Sequence, residues 1–120
     1  MEIKSYKELT AYVKGYETVK IVYKMTQRFP KDEMYGLVTQ MRRAAISIPS
    51  NIAEGYMRGH NEYIQFLKIA LGSCAELETQ LSLSKDLGFC NADDFKIAYE
   101  LNTEAIKLIK TYLSRLGTKR

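Results

Sequence analysis

Residues 40–55, QMRRAAISIPSNIAEG, restrict the fold more than any other part of the chain. At 100° per residue, Met34, Leu37, Met41, Ala44, Ala45, Ile48 and Ile52 share a face about 100° wide, which predicts an amphipathic helix with that face in a core. Gln40, Arg43, Ser47, Asn51, Glu54 and Arg58 form a polar line beside it, and a polar line flanking a core face usually meets another helix. Pro49 sits inside both patterns, where it removes one backbone donor and clashes with the carbonyl four residues earlier. Both stripes keep their phase across it, so the pattern predicts a second helix kinked at Pro49. Asn51 with Glu54 resembles a capping box, which leaves a break and restart as the alternative.

The neighbouring segments read as what packs on this helix. Ser5 and Glu8 form an S-x-x-E capping box, predicting a first helix over residues 5–28 that Phe29-Pro30 ends. Its expected core face is Leu9, Tyr12, Val13, Tyr16, Val19 and Tyr23. Lys7, Lys14, Lys24 and Arg28 project on the other side, as a solvated face or as a face that contacts phosphates. Asp32 and Glu33 suit the start of the second helix. GYMRGHN (55–61) is the expected connection, with Asn61 capping a third helix whose core stripe is Tyr63, Phe66, Leu67, Ala70, Cys74, Leu77 and Leu81. Gly88 is its expected C-cap.

A fourth helix should start after Asn91, with Asp93 and Asp94 in its first turn and Phe95, Ala98, Tyr99, Ala105, Ile106, Ile109, Tyr112, Leu113 and Leu116 facing the core. Asn102 lies in the middle of that face. A buried amide must find partners, so it should fix register or bond a tyrosine hydroxyl. Four long helices with short connections predict an all-α, antiparallel up-down-up-down four-helix bundle, as one domain over residues 1–120.

Antiparallel pairing of the second and third helices would bring Arg43 level with Glu76, and Arg42 with Glu78. These matched charges read as structural ion pairs, because two carboxylates at i and i+2 do not face each other as an acid/base pair would. The expectation is a structural polar seam of Arg42, Arg43, Ser47, Asn51, Glu54, Ser73, Glu76 and Glu78, largely removed from water. Ile97, Leu101 and Leu108 form a separate narrow stripe on the fourth helix, and Tyr35, Ile46 and Met57 do the same on the second. A monomeric bundle does not need that surplus, so both are candidate oligomer interfaces.

Composition narrows the chemistry. The two cysteines form no CxxC motif and there is one histidine, His60, so no familiar metal or redox pattern is present. Di-iron bundles use Glu-x-x-His pairs that this chain lacks. No Ser, Cys or acid stands at a recognisable spacing from His60, which predicts a protein that is not an enzyme and binds no cofactor. No apolar run approaches the roughly 20 residues of a membrane span, and the N-terminal stretch lacks a signal-peptide core; a cytoplasmic protein is expected. The net charge is +4, with ten Lys/Arg against six Asp/Glu in residues 1–60 and eight against eight in residues 61–120. A basic excess confined to the first half favours an acidic partner, nucleic acid first.

RRAAISIPSNIAEG (42–55), EYIQFLKIALGSCAELETQL (62–81) and LGF (87–89), together with the FP and YGL elements in residues 29–37, resemble the four-helix-bundle family of 23S ribosomal RNA intervening-sequence proteins, once labelled S23 ribosomal protein. The resemblance implies a small bacterial cytoplasmic protein that forms a ring-like homopentamer and has no catalytic residues to carry over. A similar bundle serves retroelements as an accessory protein that binds nucleic acid and a reverse transcriptase. The function expected on these grounds is a non-enzymatic, RNA-associating or scaffold protein. A protein–protein interaction module that docks a partner through the surplus stripes, or a reverse-transcriptase accessory protein, is the alternative.

Overall fold

The computed structural model describes residues 5–117. A 3-10 turn, Tyr6–Glu8, precedes α1 (Thr10–Thr26), and α2 (Thr39–Arg58), α3 (His60–Asp86) and α4 (Ala92–Gly117) follow. Each long helix packs chiefly on two others in the cyclic order α1, α2, α3, α4, so α1 lies diagonal to α3 and α2 to α4. Consecutive helices are neighbours joined by short links, the up-down arrangement of a four-helix bundle, with extents of 48 × 24 × 21 Å.

The ends of the helices follow local chemistry, with two corrections. Ser5 does cap, since its hydroxyl accepts the Lys7 N–H at 3.1 Å, but Leu9 is extended (ψ 127°) and separates this turn from α1. The capping box therefore closes a 3-10 turn, and the regular helix starts at Thr10 rather than Ser5. The link between α2 and α3 is also shorter than the sequence implied. It is Gly59 alone, at φ +146°, a conformation that side chains disfavour. Asn61 consequently lies inside α3 and caps nothing.

At its far end α3 closes in a Schellman motif. Gly88 has φ +76°, its N–H bonds the Lys85 carbonyl at 3.0 Å, and the Phe89 N–H reaches the Ser84 carbonyl at 2.9 Å. Asn91 then caps α4, accepting the Asp94 N–H at 2.7 Å and donating to the Asp94 carboxylate at 3.0 Å.

α2 runs as one helix through Pro49, which rules out the break and restart. The irregular geometry lies upstream, in a π-helical segment, Met34–Val38, where Gly36 has non-helical angles (φ −116°, ψ −106°). The middle of the 40–55 stretch supplies the centre of the core: Met41, Ala44, Ala45, Ile48 and Ile52 are buried. Leu67, Ala70, Cys74, Leu77 and Leu81 from α3, with Ala98, Ala105 and Ile109 from α4, complete it.

The expected core face of α1 is corrected. The residues of α1 that are buried are Ala11, Gly15, Thr18, Ile21, Val22, Met25 and Thr26, whereas Val13, Tyr16 and Tyr23 are exposed. α1 carries two stripes compatible with helical period, one small and aliphatic and one aromatic. The small one faces inward because it allows close approach: a Cβ on Gly15 would stand 3.0 Å from Ile48 Cγ2 and 3.3 Å from Pro49 Cδ. Tyr16 and Tyr23, whose hydroxyls need partners when buried, remain at the surface, while Leu9, Tyr12 and Val19 of the expected face pack half-buried against the core.

The tightest contact lies at the α2–α3 corner. A Cβ on Gly55 would fall 2.6 Å from Phe66 Cβ and 3.2 Å from Tyr63 Cα, atoms that cannot turn aside. Gly55→Ala should therefore destabilise the bundle by about 1–3 kcal/mol in denaturant titration, despite the better helix propensity of alanine. Gly72 lies within α3 and is exposed, with open space around it. Gly72→Ala should stabilise by about 0.5–1 kcal/mol. A Gly55→Ala midpoint at or above the wild-type value would contradict this packing.

Candidate functional site

The predicted polar seam divides in the folded chain. Ser47 and Ser73 meet across α2 and α3, with the buried Ser73 hydroxyl donating to Ser47 Oγ at 2.7 Å. The Asn51 amide donates to the Ser47 carbonyl at 2.7 Å and to its hydroxyl at 2.8 Å. The charged members do not join them. Arg43 and Glu76 are exposed in an open polar cleft with Gln40, Ser47 and Ser73, and no ion pair joins Arg43 to Glu76 or Arg42 to Glu78 among the described residues.

Glu54 pairs with Arg58 of its own helix at 2.8 Å. Arg42 turns towards α1, where its guanidinium lies 4.5 Å from the Tyr23 ring centroid and its Nε donates to Thr26 Oγ1 at 3.0 Å. Glu78 is half-buried beside Cys74. The expected burial of Arg43, Glu54 and Glu76 is thus corrected. On the helical projection Ser47 and Asn51 sit nearer the core centre than Arg43 and Glu54 by roughly 20–80°, and long charged side chains extend their ends to water.

The cationic line of α1 is partly engaged. Lys14 reaches Glu104 at 2.8 Å and Lys24 reaches Asp94 at 3.7 Å, both carboxylates being on α4. Lys7 and Arg28 are exposed. With the core facing inward through Ala11, Gly15 and Val22, this line runs beside the α1–α4 seam rather than opposite the core.

Of the two surplus apolar stripes, the fourth-helix one is mostly absorbed. Leu101 and Leu108 are half-buried against the core, and Ile97 alone is substantially exposed. Tyr35 (96% exposed), Met57 (70%) and Ile46 (41%) stay outside. Ile46 joins Tyr6, Tyr12, Tyr16, Val19, Pro49 and Ala53 in a groove of about 390 Å³ between α1 and α2, with Lys20 at its edge. Sequence reasoning missed this groove because it assigned the tyrosines to the core. The signal available was the second stripe Ala11, Gly15, Thr18, Val22, which a search for large side chains passes over.

No group of three or more His, Cys, Asp or Glu side chains among the described residues could hold a metal ion. No described helix is long and apolar enough to cross a membrane.

The family description 23S rRNA-intervening sequence protein matches residues 7–111. The chain belongs to this family. The intervening-sequence bundle is also seen in a crystal structure of a protein of unknown function from the S23 ribosomal protein family of Bacteroides thetaiotaomicron. That structure is 24% identical, with a TM-score of 0.76, covering 87% of this chain and 95% of the other. No curated protein is significantly similar to the chain. The matched region reaches into all four helices and takes in the polar cleft, the cationic line and, Tyr6 apart, the α1–α2 groove.

Two buried groups in this bundle yield measurable expectations. Asn102 donates to the Cys74 carbonyl at 2.9 Å, tying α4 to α3, while its Oδ1 is buried without a partner. Asn102→Asp would place a carboxylate there and raise its pKa, so the deficit against wild type should grow as pH rises above about 4. Glu76→Ala, at an exposed unpaired site, should stay within about 0.5 kcal/mol of wild type. Urea melts at pH 4 and pH 7 check both, and a deficit independent of pH would refute the Asn102 account.

The thiols should also separate. Burial, with the Glu78 carboxylate adding to it, pushes the Cys74 thiol up to about 12. Cys90, raised by burial and then by Asp94, is only partly covered. A disulfide reagent at pH 8 should label Cys90 in the native protein and Cys74 only on unfolding, because the thiolate is the reactive form. Cys90→Ser should abolish the native-state reaction.

Proposed function

We propose that the protein is a non-enzymatic scaffold of the bacterial cytoplasm that assembles into a homopentamer of single-domain bundles, and that the assembled basic surface associates with RNA. The observation that carries the reading is apolar surface left outside a core that is already complete. Tyr16 is 52% exposed, Tyr35 96% and Met57 70%, while the core residues of all four helices are buried. Where such side chains gather, as Tyr16 and Ile46 do at the α1–α2 groove, exposed apolar surface marks an interaction site, and self-association is the commonest way to cover it. The number five comes from the family resemblance.

Association with RNA rests on charge. Five copies at +4 give +20, and repeated weak contacts on a ring add up to useful affinity. Lys7, Lys24 and Arg28 are the exposed members of the α1 line, and of the three Lys24 alone meets a carboxylate among the described residues. Lys14 and Lys24 are held by carboxylates, but the Lys14–Glu104 pair is partly solvent-exposed, so exchange of Glu104 for a phosphate costs little.

Light scattering at micromolar concentration should give about five times the chain mass, and a monomer would remove the assembly reading. Structured RNA should bind with an affinity that falls about tenfold or more between 50 and 200 mM salt. Arg28→Glu should weaken it further without altering the mass. Affinity that is negligible at every salt concentration would exclude RNA.

A further inference from the structure

The exposed apolar surface falls on two sides of the bundle, and the two sides differ in sign of charge. One is the α1–α2 groove, floored by Val19, Pro49 and Ala53 and walled by Tyr12, Tyr16 and Ile46. Tyr12 and Tyr16 stack with Tyr6 along the rim, with successive ring centroids 5.2 and 6.1 Å apart. Lys20 lines this groove, Lys7 lines the adjoining hollow against Tyr12 and Tyr16, and no carboxylate lines either. Glu17 sits 3.4 Å from Lys20, but both side chains are largely exposed and such a pair is readily exchanged.

The other side is the α3–α4 edge. Leu83 and Leu87, one turn apart on α3, are 48% and 58% exposed. Leu83 shares a shallow depression with Tyr99 and with two carboxylates, Glu78 and Asp86, and no cation lines it.

In the cyclic order of the helices, the α1–α2 groove and the α3–α4 edge are on opposite sides of the molecule. An apolar groove edged with lysines and an exposed leucine pair beside two carboxylates complement each other in polarity and charge. They cannot meet within one chain. We propose that the α1–α2 groove receives the α3–α4 edge of a second copy, with Leu83 and Leu87 entering beside Tyr16 and Ile46. This rests on the self-assembly reading above and adds to it the two faces that meet. Because the faces are different, the contact is heterologous: every copy offers one of each, and the copies run head to tail until the rotation closes.

Head-to-tail pairing makes a distinctive prediction for mixtures. Tyr16→Glu spoils only the groove and Leu83→Glu spoils only the edge, and both positions are exposed, so the bundle itself should fold and melt like wild type. Each variant alone should lose assembly, its association midpoint moving at least tenfold higher in concentration. Mixed in equal amounts, they should form a heterodimer and stop there, since the intact groove of one chain takes the intact edge of the other and the two remaining faces are both spoiled. Ile46→Glu in the groove and Leu87→Glu, at 41% and 58% exposure, form a second pair for the same experiment should either first variant fail to fold.

Native mass spectrometry reads the outcomes. A wild-type monomer would overturn both this pairing and the assembly reading. A wild-type oligomer that survives both edge variants, or a mixture that shows no heterodimer, would overturn the pairing alone. If Tyr16→Glu leaves the oligomer intact but abolishes RNA binding, the tyrosine groove is a nucleic-acid surface and the pairing is wrong.

Discussion

Two glycines control how near the helices of this bundle come to one another. Gly15 lets α1 lie against Ile48 and Pro49, and Gly55 lets α2 lie against Tyr63 and Phe66 at the corner where the chain turns through Gly59. The buried faces of α1 and α2 accordingly set small residues, Ala11, Gly15, Ala44 and Ala45, beside branched ones such as Val22, Ile48 and Ile52. Pro49 is accommodated in the same place. Gly15 leaves room for the Pro49 ring, since a Cβ there would stand 3.3 Å from Pro49 Cδ, and the core closes over it.

That close approach decides where everything else on α1 goes. With the small stripe inward, the tyrosine stripe is rotated to the α2 side, and the lysine line to the α4 side, within reach of Glu104 and Asp94. The aromatic groove and the partly neutralised cationic line therefore share one cause. Surface features of this kind are what a family with no recognisable reaction has to work with. The polar cleft of Arg43 and Glu76 is similar, its charges solvated while the small Ser47–Ser73 contact takes the buried position.

Several of the hydrogen bonds that fix register come from uncharged side chains. Asn102 binds the Cys74 carbonyl, Ser84 donates to Met41 Sδ at 3.3 Å, and the Tyr112 hydroxyl accepts the Ala11 N–H at 3.3 Å, at the open start of α1. Each joins two helices. None needs a buried charge, which spares the bundle the desolvation cost that the Arg43–Glu76 pair would have carried.

Sequence by itself determined the helix count, most of the core stripes of α2, α3 and α4, the Gly88 stop and the start of α4 after Asn91, because those depend on spacing and local backbone chemistry; Met34, expected on the second stripe, is exposed in the π-helical segment before α2. The family, too, could be read from residues 42–55 and 62–81. Tertiary structure alone decided which of the two α1 stripes is buried. Helical period permits either, and the choice depends on whether a partner backbone can approach within van der Waals distance of Gly15. It also decided the fate of the charged seam. A wheel places Arg43, Glu54 and Glu76 beside the core face, but side-chain length and the direction to water determine on which side of that border their charges lie.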